Sequence, residues 1–166
     1  MKKQISARGV SFIEILVVIA IFAILGVLVG RITLITLRGS NKSESLGKVR
    51  TNLDYSLAVM ERQLRNAETA SPCNNTAVTT INYTDIDGIP SSFSCINIGP
   101  TGYIASSSAR LTTDEIKITA CSFTCSPAAG RVPPAVTISL EAADAKTTGI
   151  EAAKVTATTK IFLRTY

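Results

Sequence analysis

The hydropathy pattern begins with an apolar run over residues 10–30, VSFIEILVVIAIFAILGVLVG, whose single charged residue is Glu14. About 20 helical residues at 1.5 Å each cross the hydrocarbon core of a bilayer, so the run predicts a membrane-spanning helix. An ionised carboxylate inside such a span costs about 2.5–3.5 kcal/mol on insertion scales. We therefore expect Glu14 to have a cationic partner. Cleavage between Gly9 and Val10 would create one, a free amine four residues before Glu14.

Beyond residue 30 the apolar positions narrow to a stripe with steps of three and four residues, which is one face of a helix. The stripe consists of Leu46, Val49, Leu53, Leu57, Met60, Leu64 and Ala67. No proline precedes Pro72, so the pattern allows one long helix from about residue 10 to about residue 70. Gly39 and Gly47 each weaken the helix by about 1 kcal/mol relative to Ala, and a bend between them stays open.

From Ser71 onward the composition shifts to Ser, Thr, Gly, Pro and β-branched residues. Strands are predicted at about 77–83, 93–98, 115–123, 135–141 and 154–164. Ile116, Ile118 and Ala120 alternate with polar residues, which predicts a covered face and a wet face. We predict an α+β fold, in which the amphipathic helix of residues 31–70 packs on a C-terminal antiparallel sheet within residues 71–166.

Four cysteines, Cys73, Cys95, Cys121 and Cys125, all lie beyond the apolar run, in the part expected outside the membrane. An oxidising compartment favours disulfides, and three connectivities are open. We favour Cys73 with Cys95 and Cys121 with Cys125, the second pair across a tight turn. A four-thiolate zinc site is the weaker alternative, because a second short pair is missing and the chain has no histidine.

The net charge of +5 is a poor guide to partners, because Lys2, Lys3 and Arg8 precede the apolar run. By the positive-inside rule these cations favour a cytoplasmic N-terminus and place the C-terminal bulk outside. Residues 31–65 are basic, whereas residues 66–166 are close to neutral. A solvated helix face explains the basic stretch best, contacts with anionic lipid or DNA stay open, and no nucleic-acid-binding domain is indicated.

The first 30 residues resemble a type IV prepilin signal: a short basic leader ending in Gly9, then Val10-Ser11-Phe12-Ile13-Glu14, then the apolar run. The resemblance implies a leader peptide over residues 1–9, cleavage by prepilin peptidase between Gly9 and Val10, and N-methylation of Val10. It also implies that Glu14, at the family's fifth mature position, directs assembly. Val10 stands where Phe is commonest, and Ser11-Phe12 replaces the usual Thr-Leu. Residues 56–67 resemble the helix that follows the anchor in J-type minor pseudopilins.

The resemblance implies a pilin-like fold and a structural subunit of a type IV pilus or pseudopilus filament. Its expected partners are other pilin or pseudopilin subunits, prepilin peptidase, an inner-membrane assembly platform, and membrane lipid before assembly. The precursor is expected in the inner membrane as a single-pass, N-in protein, and the mature subunit in a surface or periplasm-spanning filament. A minor pseudopilin of a type II secretion or DNA-uptake machine and a non-assembling anchored adhesin are the alternatives.

The sequence gives little support for an enzyme. The chain has no histidine, which removes the usual general base and triad partner. No glycine-rich phosphate cradle follows a strand, and no cofactor or metal site is expected. Asp85-Ile86-Asp87-Gly88 resembles a fragment of a calcium loop but lacks the downstream acid, so we interpret it as a hairpin turn.

Overall fold

The computed structural model describes residues 11–147 and 152–164. The chain divides into two compact units, residues 1–40 and residues 41–166. The described part of the first unit is helical: α1 (Phe12–Arg65) begins there and continues into the second unit. Residues 39–47 belong to this helix, which has no break at Gly39 or Gly47.

The second unit holds two antiparallel sheets. Sheet A has the order β1-β3-β4-β5-β6, and sheet B has the order β2-β7-β8-β9. The strands of sheet A are β1 (Ala67–Ser71), β3 (Thr80–Asp85), β4 (Pro90–Ile96), β5 (Tyr103–Ser106) and β6 (Ala109–Arg110). The strands of sheet B are β2 (Ala77–Val78), β7 (Ile116–Ser126), β8 (Ala135–Asp144) and β9 (Lys154–Phe162). The predicted α+β class, with a long N-terminal helix and antiparallel sheets, is confirmed.

The helix stripe forms part of the core of the second unit. Val49, Leu53, Met60 and Leu64 are fully buried, and Leu57 packs against the same cluster. Leu46, predicted in the stripe, is 38% exposed. The sheets contribute the remaining large buried side chains, which are Phe93, Phe123, Ile81, Ile104, Ile116, Ile118, Ile138, Leu140 and Ile161. The helix face and the inner sheet faces therefore share one hydrophobic core.

The two sheets are joined through the loop before β5. Ile118 of β7 donates its amide to the carbonyl of Gly102 and accepts from the amide of Gly99, both at 2.8 Å. A Cβ on Gly102 would overlap the Ile118 carbonyl oxygen, so only glycine allows this close approach. The loop thereby continues the hydrogen bonding of sheet A onto sheet B.

The predicted helix end was wrong. The helix ends at Arg65 rather than near Ala70, and Ala67–Ser71 form strand β1. β1 pairs with β3, so the backbone N–H and C=O groups of β1 form hydrogen bonds with β3. These groups would not be available for β3 if the helix continued by another turn. Ala67 is buried as predicted, but from a strand.

The predicted strand 77–83 is two strands, because β2 pairs with β7 in sheet B while β3 pairs with β1 and β4 in sheet A. The other four predicted strands are found as β4, β7, β8 and β9. Strands β1, β5 and β6 were not predicted. The hairpin turn at residues 85–88 is confirmed: Gly88 has φ +77° and donates its amide to the carbonyl of Asp85 at 2.9 Å.

The alternation predicted for β7 was wrong at its centre. A bulge between Ile118 and Ala120 shifts the register against β8. An extra residue on one strand reverses which side chains face the core. Ala120 is consequently exposed and Cys121 is buried, the reverse of the prediction.

Candidate assembly segment

Glu14 lies in the first turn of α1, which begins after Ser11. The amides of Glu14 and Ile15 donate to the Ser11 carbonyl, at 3.0 Å and 3.3 Å. A carboxylate in this position interacts favourably with the positive end of the helix dipole. The order Ser11-Phe12-Ile13-Glu14 also has the spacing of a capping box, a pattern that our sequence reasoning missed. The side chain of Glu14 nevertheless makes no hydrogen bond or ion pair with another described residue.

The helix around Glu14 presents apolar side chains on every face. Within the described residues one helix is long and apolar enough to cross a membrane, with a mean hydropathy of 3.1 over its best window and none of that window buried. Phe12, Phe22 and Ile24 are 77%, 69% and 63% exposed. Water is a poor solvent for so much contiguous apolar surface, so lipid or other protein must cover it. The helix therefore has the composition of a membrane anchor.

Several predicted processing residues lie outside the described residues. They are Lys2, Lys3, Arg8, Gly9 and Val10. Glu14 is thus the one predicted assembly or processing residue with a described position. The partner amine expected on Val10 stays a prediction of the sequence.

All four cysteines are in disulfides, but the pairing we favoured was wrong. Cys73 bonds Cys125 and Cys95 bonds Cys121. Cys121 and Cys125 both lie on β7, four residues apart, where a strand separates their Cα atoms by about 13 Å. A disulfide needs Cα atoms about 4.4–6.8 Å apart, so these two cannot bond. Cys95 of β4 instead bonds Cys121 of β7 and so links sheet A to sheet B. Cys73, in the segment after β1, bonds Cys125 of the same strand β7.

A polar cluster connects α1 to the end of β8. Asp144 is 6% exposed and accepts from the amides of Lys146 at 2.7 Å and Thr147 at 2.9 Å. Ser45, also buried, accepts from the amide of Ala153 at 3.3 Å. Burial by itself would raise the pKa of Asp144, but hydrogen bonds from Thr147, Ser45 and Lys146 together lower this pKa from 3.8 to about 2. The carboxylate is therefore ionised at neutral pH and holds the turn after β8 beside the helix.

The clefts found in the described part of the second unit are open to solvent. One of them, about 560 Å³, is lined by helix and β9 residues including Leu46, Arg50, Asp54 and Val155. Among residues 11–147 and 152–164, no three metal-ligating side chains come together. The disulfides also leave no thiolate for the zinc site considered above.

Comparison with known proteins identifies no relative: no family model, no curated protein and no solved structure matches this chain.

Proposed function

We propose that the chain is a subunit of a type IV pilus or pseudopilus filament, processed by prepilin peptidase and assembled through its apolar N-terminal helix. The observation that carries the proposal is Glu14, a carboxylate in the first turn of an exposed apolar helix that has no partner among the described residues. The short basic leader ending in Gly9 supplies the second support. A β-rich unit after the helix is consistent with a domain carried on the outside of a filament.

The mechanism follows from charge pairing. Prepilin peptidase removes residues 1–9 and frees the amine of Val10. Side chains in a helix lean toward its N-terminus, so the carboxylate of Glu14 leans toward the level of Val10. An offset neighbouring helix then brings its own Val10 amine to Glu14. In a filament core as apolar as the lipid, the attraction between the two charges offsets the desolvation cost that Glu14 would carry alone.

The alternatives differ in observable ways. The resemblance of residues 56–67 to J-type minor pseudopilins favours a minor subunit of a secretion or DNA-uptake machine as the second candidate. A minor subunit would be scarce in sheared filaments, whereas a main structural subunit would dominate them. A non-assembling adhesin would keep its leader and would be missing from the filament fraction.

Replacing Glu14 by Ala tests the pairing. The variant should insert and be cleaved normally, because alanine costs nothing in hydrocarbon. Its incorporation into sheared filaments should fall by about tenfold or more, because the Val10 amine of the neighbouring helix is left without a counter-charge, and removing one partner of a buried pair costs about 3–5 kcal/mol. Immunoblots of the membrane and filament fractions measure both quantities.

Glu44→Ala is the matched control. Glu44 is also a helix carboxylate, but it is exposed and bonds Lys48 of its own chain at 2.7 Å. This variant should assemble like the unmodified protein. Normal incorporation of the Glu14 variant, or an equal loss in both variants, would contradict the proposed pairing.

A further inference from the structure

Two arginines follow the apolar span on one side of α1. Arg31 and Arg38 are seven residues apart, which places them within about 20° of the same helix face. Ile35 lies between them on that face and is 71% exposed. The three side chains combine two cations with an apolar contact, over two turns of helix.

These arginines lack the counter-charges that three cations further along the helix have. Lys48 bonds Glu44 at 2.7 Å, Arg50 faces Asp54 at 3.8 Å, and Arg65 pairs with Glu61. Among the described residues Arg31 and Arg38 form no ion pair. The sequence carries no Asp or Glu between Glu14 and Glu44, so no partner on the helix is within one turn of either arginine.

The spacing along the helix puts both arginines near a headgroup layer. If Glu14 marks one boundary of the hydrocarbon, about 20 residues at 1.5 Å each reach the other boundary near residue 34. The headgroup region adds about 5–8 Å, or about four or five residues, which includes Arg38. Because helical side chains lean toward the N-terminus, Arg38 leans back toward the bilayer. Arg31 is within one turn of the boundary, a distance that a long arginine side chain covers by snorkelling.

We propose that Arg31, Ile35 and Arg38 form a binding site for the headgroup of an anionic phospholipid. The guanidinium groups match the phosphate oxygens in charge and in bidentate geometry, and Ile35 covers the adjoining glycerol and acyl carbons. The inference rests on the membrane-anchored state required by the proposed function. It does not depend on leader cleavage or on filament assembly. The lipid site and the filament function can therefore be refuted separately.

The chain has no tryptophan, which allows a direct measurement of lipid preference. Leu34→Trp places a single fluorophore beside the site and leaves Ile35 in place; Leu34 is 59% exposed, so the position accepts a larger side chain. The full-length protein is reconstituted in vesicles of phosphatidylcholine with brominated phosphatidylglycerol, and separately with brominated phosphatidylcholine. Quenching by the anionic lipid should exceed quenching by the neutral lipid, with a relative binding constant of about two to five, and 0.5 M salt (on the order of a 4 Å screening length) should reduce it.

The charge-removing variant Arg31→Gln with Arg38→Gln, in the same Leu34→Trp background, should lower the relative binding constant to about one. The control is Lys48→Gln with Arg50→Gln, which removes the same charge from cations that already have partners on their own helix. Lys42 is left unchanged in all variants. Equal quenching by the two lipids in the starting protein, or an equal loss of preference in the control, would overturn the proposal.

Discussion

At the scale of single residues, two carboxylates on or beside α1 have opposite surroundings. Glu14 has no partner among the described residues, whereas Asp144 is buried and receives hydrogen bonds from two backbone amides. On our proposal the acid without a described partner makes an intermolecular contact, whereas the hydrogen-bonded acid stabilises the fold of its own chain. Sequence reasoning singled out Glu14 because its cost in lipid is visible in the chain. It missed Asp144, whose partners lie in the turn after β8 and across the core at Ser45.

Asp144→Asn should destabilise the second unit at pH 7 by about 1–3 kcal/mol, because hydrogen bonds to an ionised acceptor are lost. The pKa of Asp144 is depressed in the folded state, so its contribution is present above the unfolded value of 3.8 and is lost as the pH falls toward 2. The difference in the free energy of unfolding between the variant and the unmodified protein should therefore shrink as the pH falls from 3.8 toward 2. Denaturant titration in detergent, followed by near-ultraviolet circular dichroism, measures it. Asp54→Asn, at an exposed position with a 3.8 Å contact to Arg50, is the control and should show neither effect.

At the scale of elements, local patterns predicted more than long-range ones. The three- and four-residue steps correctly placed Val49, Leu53, Met60 and Leu64 on the buried helix face. Strand-like composition, with period-two alternation in part of it, located four strands. The helix end and the bulge in β7 depend on partners far along the chain, β3 and β8, so the local pattern gave the wrong answer at both. The short strands β5 and β6, which were not predicted, form a hairpin around the polar residues Ser107 and Ser108.

The disulfide pairing can be checked with proteolysis of the unreduced protein. Trypsin should release residues 66–110, which contain Cys73 and Cys95, and residues 118–131, which contain Cys121 and Cys125. The structure predicts that these two peptides stay linked, and that cleavage after Tyr83 and Phe123 yields Cys73 bound to Cys125 and Cys95 bound to Cys121. Two separate, internally bonded peptides in the mass spectrum would refute this pairing and restore the one favoured from sequence.

Two glycines, one at the junction between the sheets and one in the exposed helix, should respond to alanine with opposite changes in the free energy of unfolding. Gly102→Ala should destabilise by about 1–3 kcal/mol, because the new methyl group overlaps the Ile118 carbonyl. The methyl group added by Gly47→Ala would have no atom within 4 Å, and alanine favours a helix, so this variant should be more stable by up to about 1 kcal/mol. Guanidinium titration of both variants under the same conditions provides the comparison. Equal stability of the Gly102 variant and the unmodified protein would show that the loop does not hold the sheets together.

At the scale of the whole molecule, the two units differ in what surrounds them. The second unit encloses its own core and two disulfides, so the sequence signals for strands and a helix stripe were sufficient to predict its class. The apolar helix of the first unit buries almost nothing within its own chain. Its function must come from what covers it, first lipid and then, on our proposal, other copies of the same helix. On our proposal, Glu14 and the residues before it direct that assembly, and the neighbouring subunit supplies the contact that they need.

The most direct test of this account is the mass of the N-terminal peptide of the protein isolated from cells. The chain in the filament fraction should begin at Val10, and the amine of Val10 should be methylated. Replacing Gly9 by a bulky residue should leave residues 1–9 attached and keep the protein in the membrane fraction. A mature protein from the unmodified chain that still begins at Met1 would contradict the account, because no new amine would then exist for Glu14 to bind.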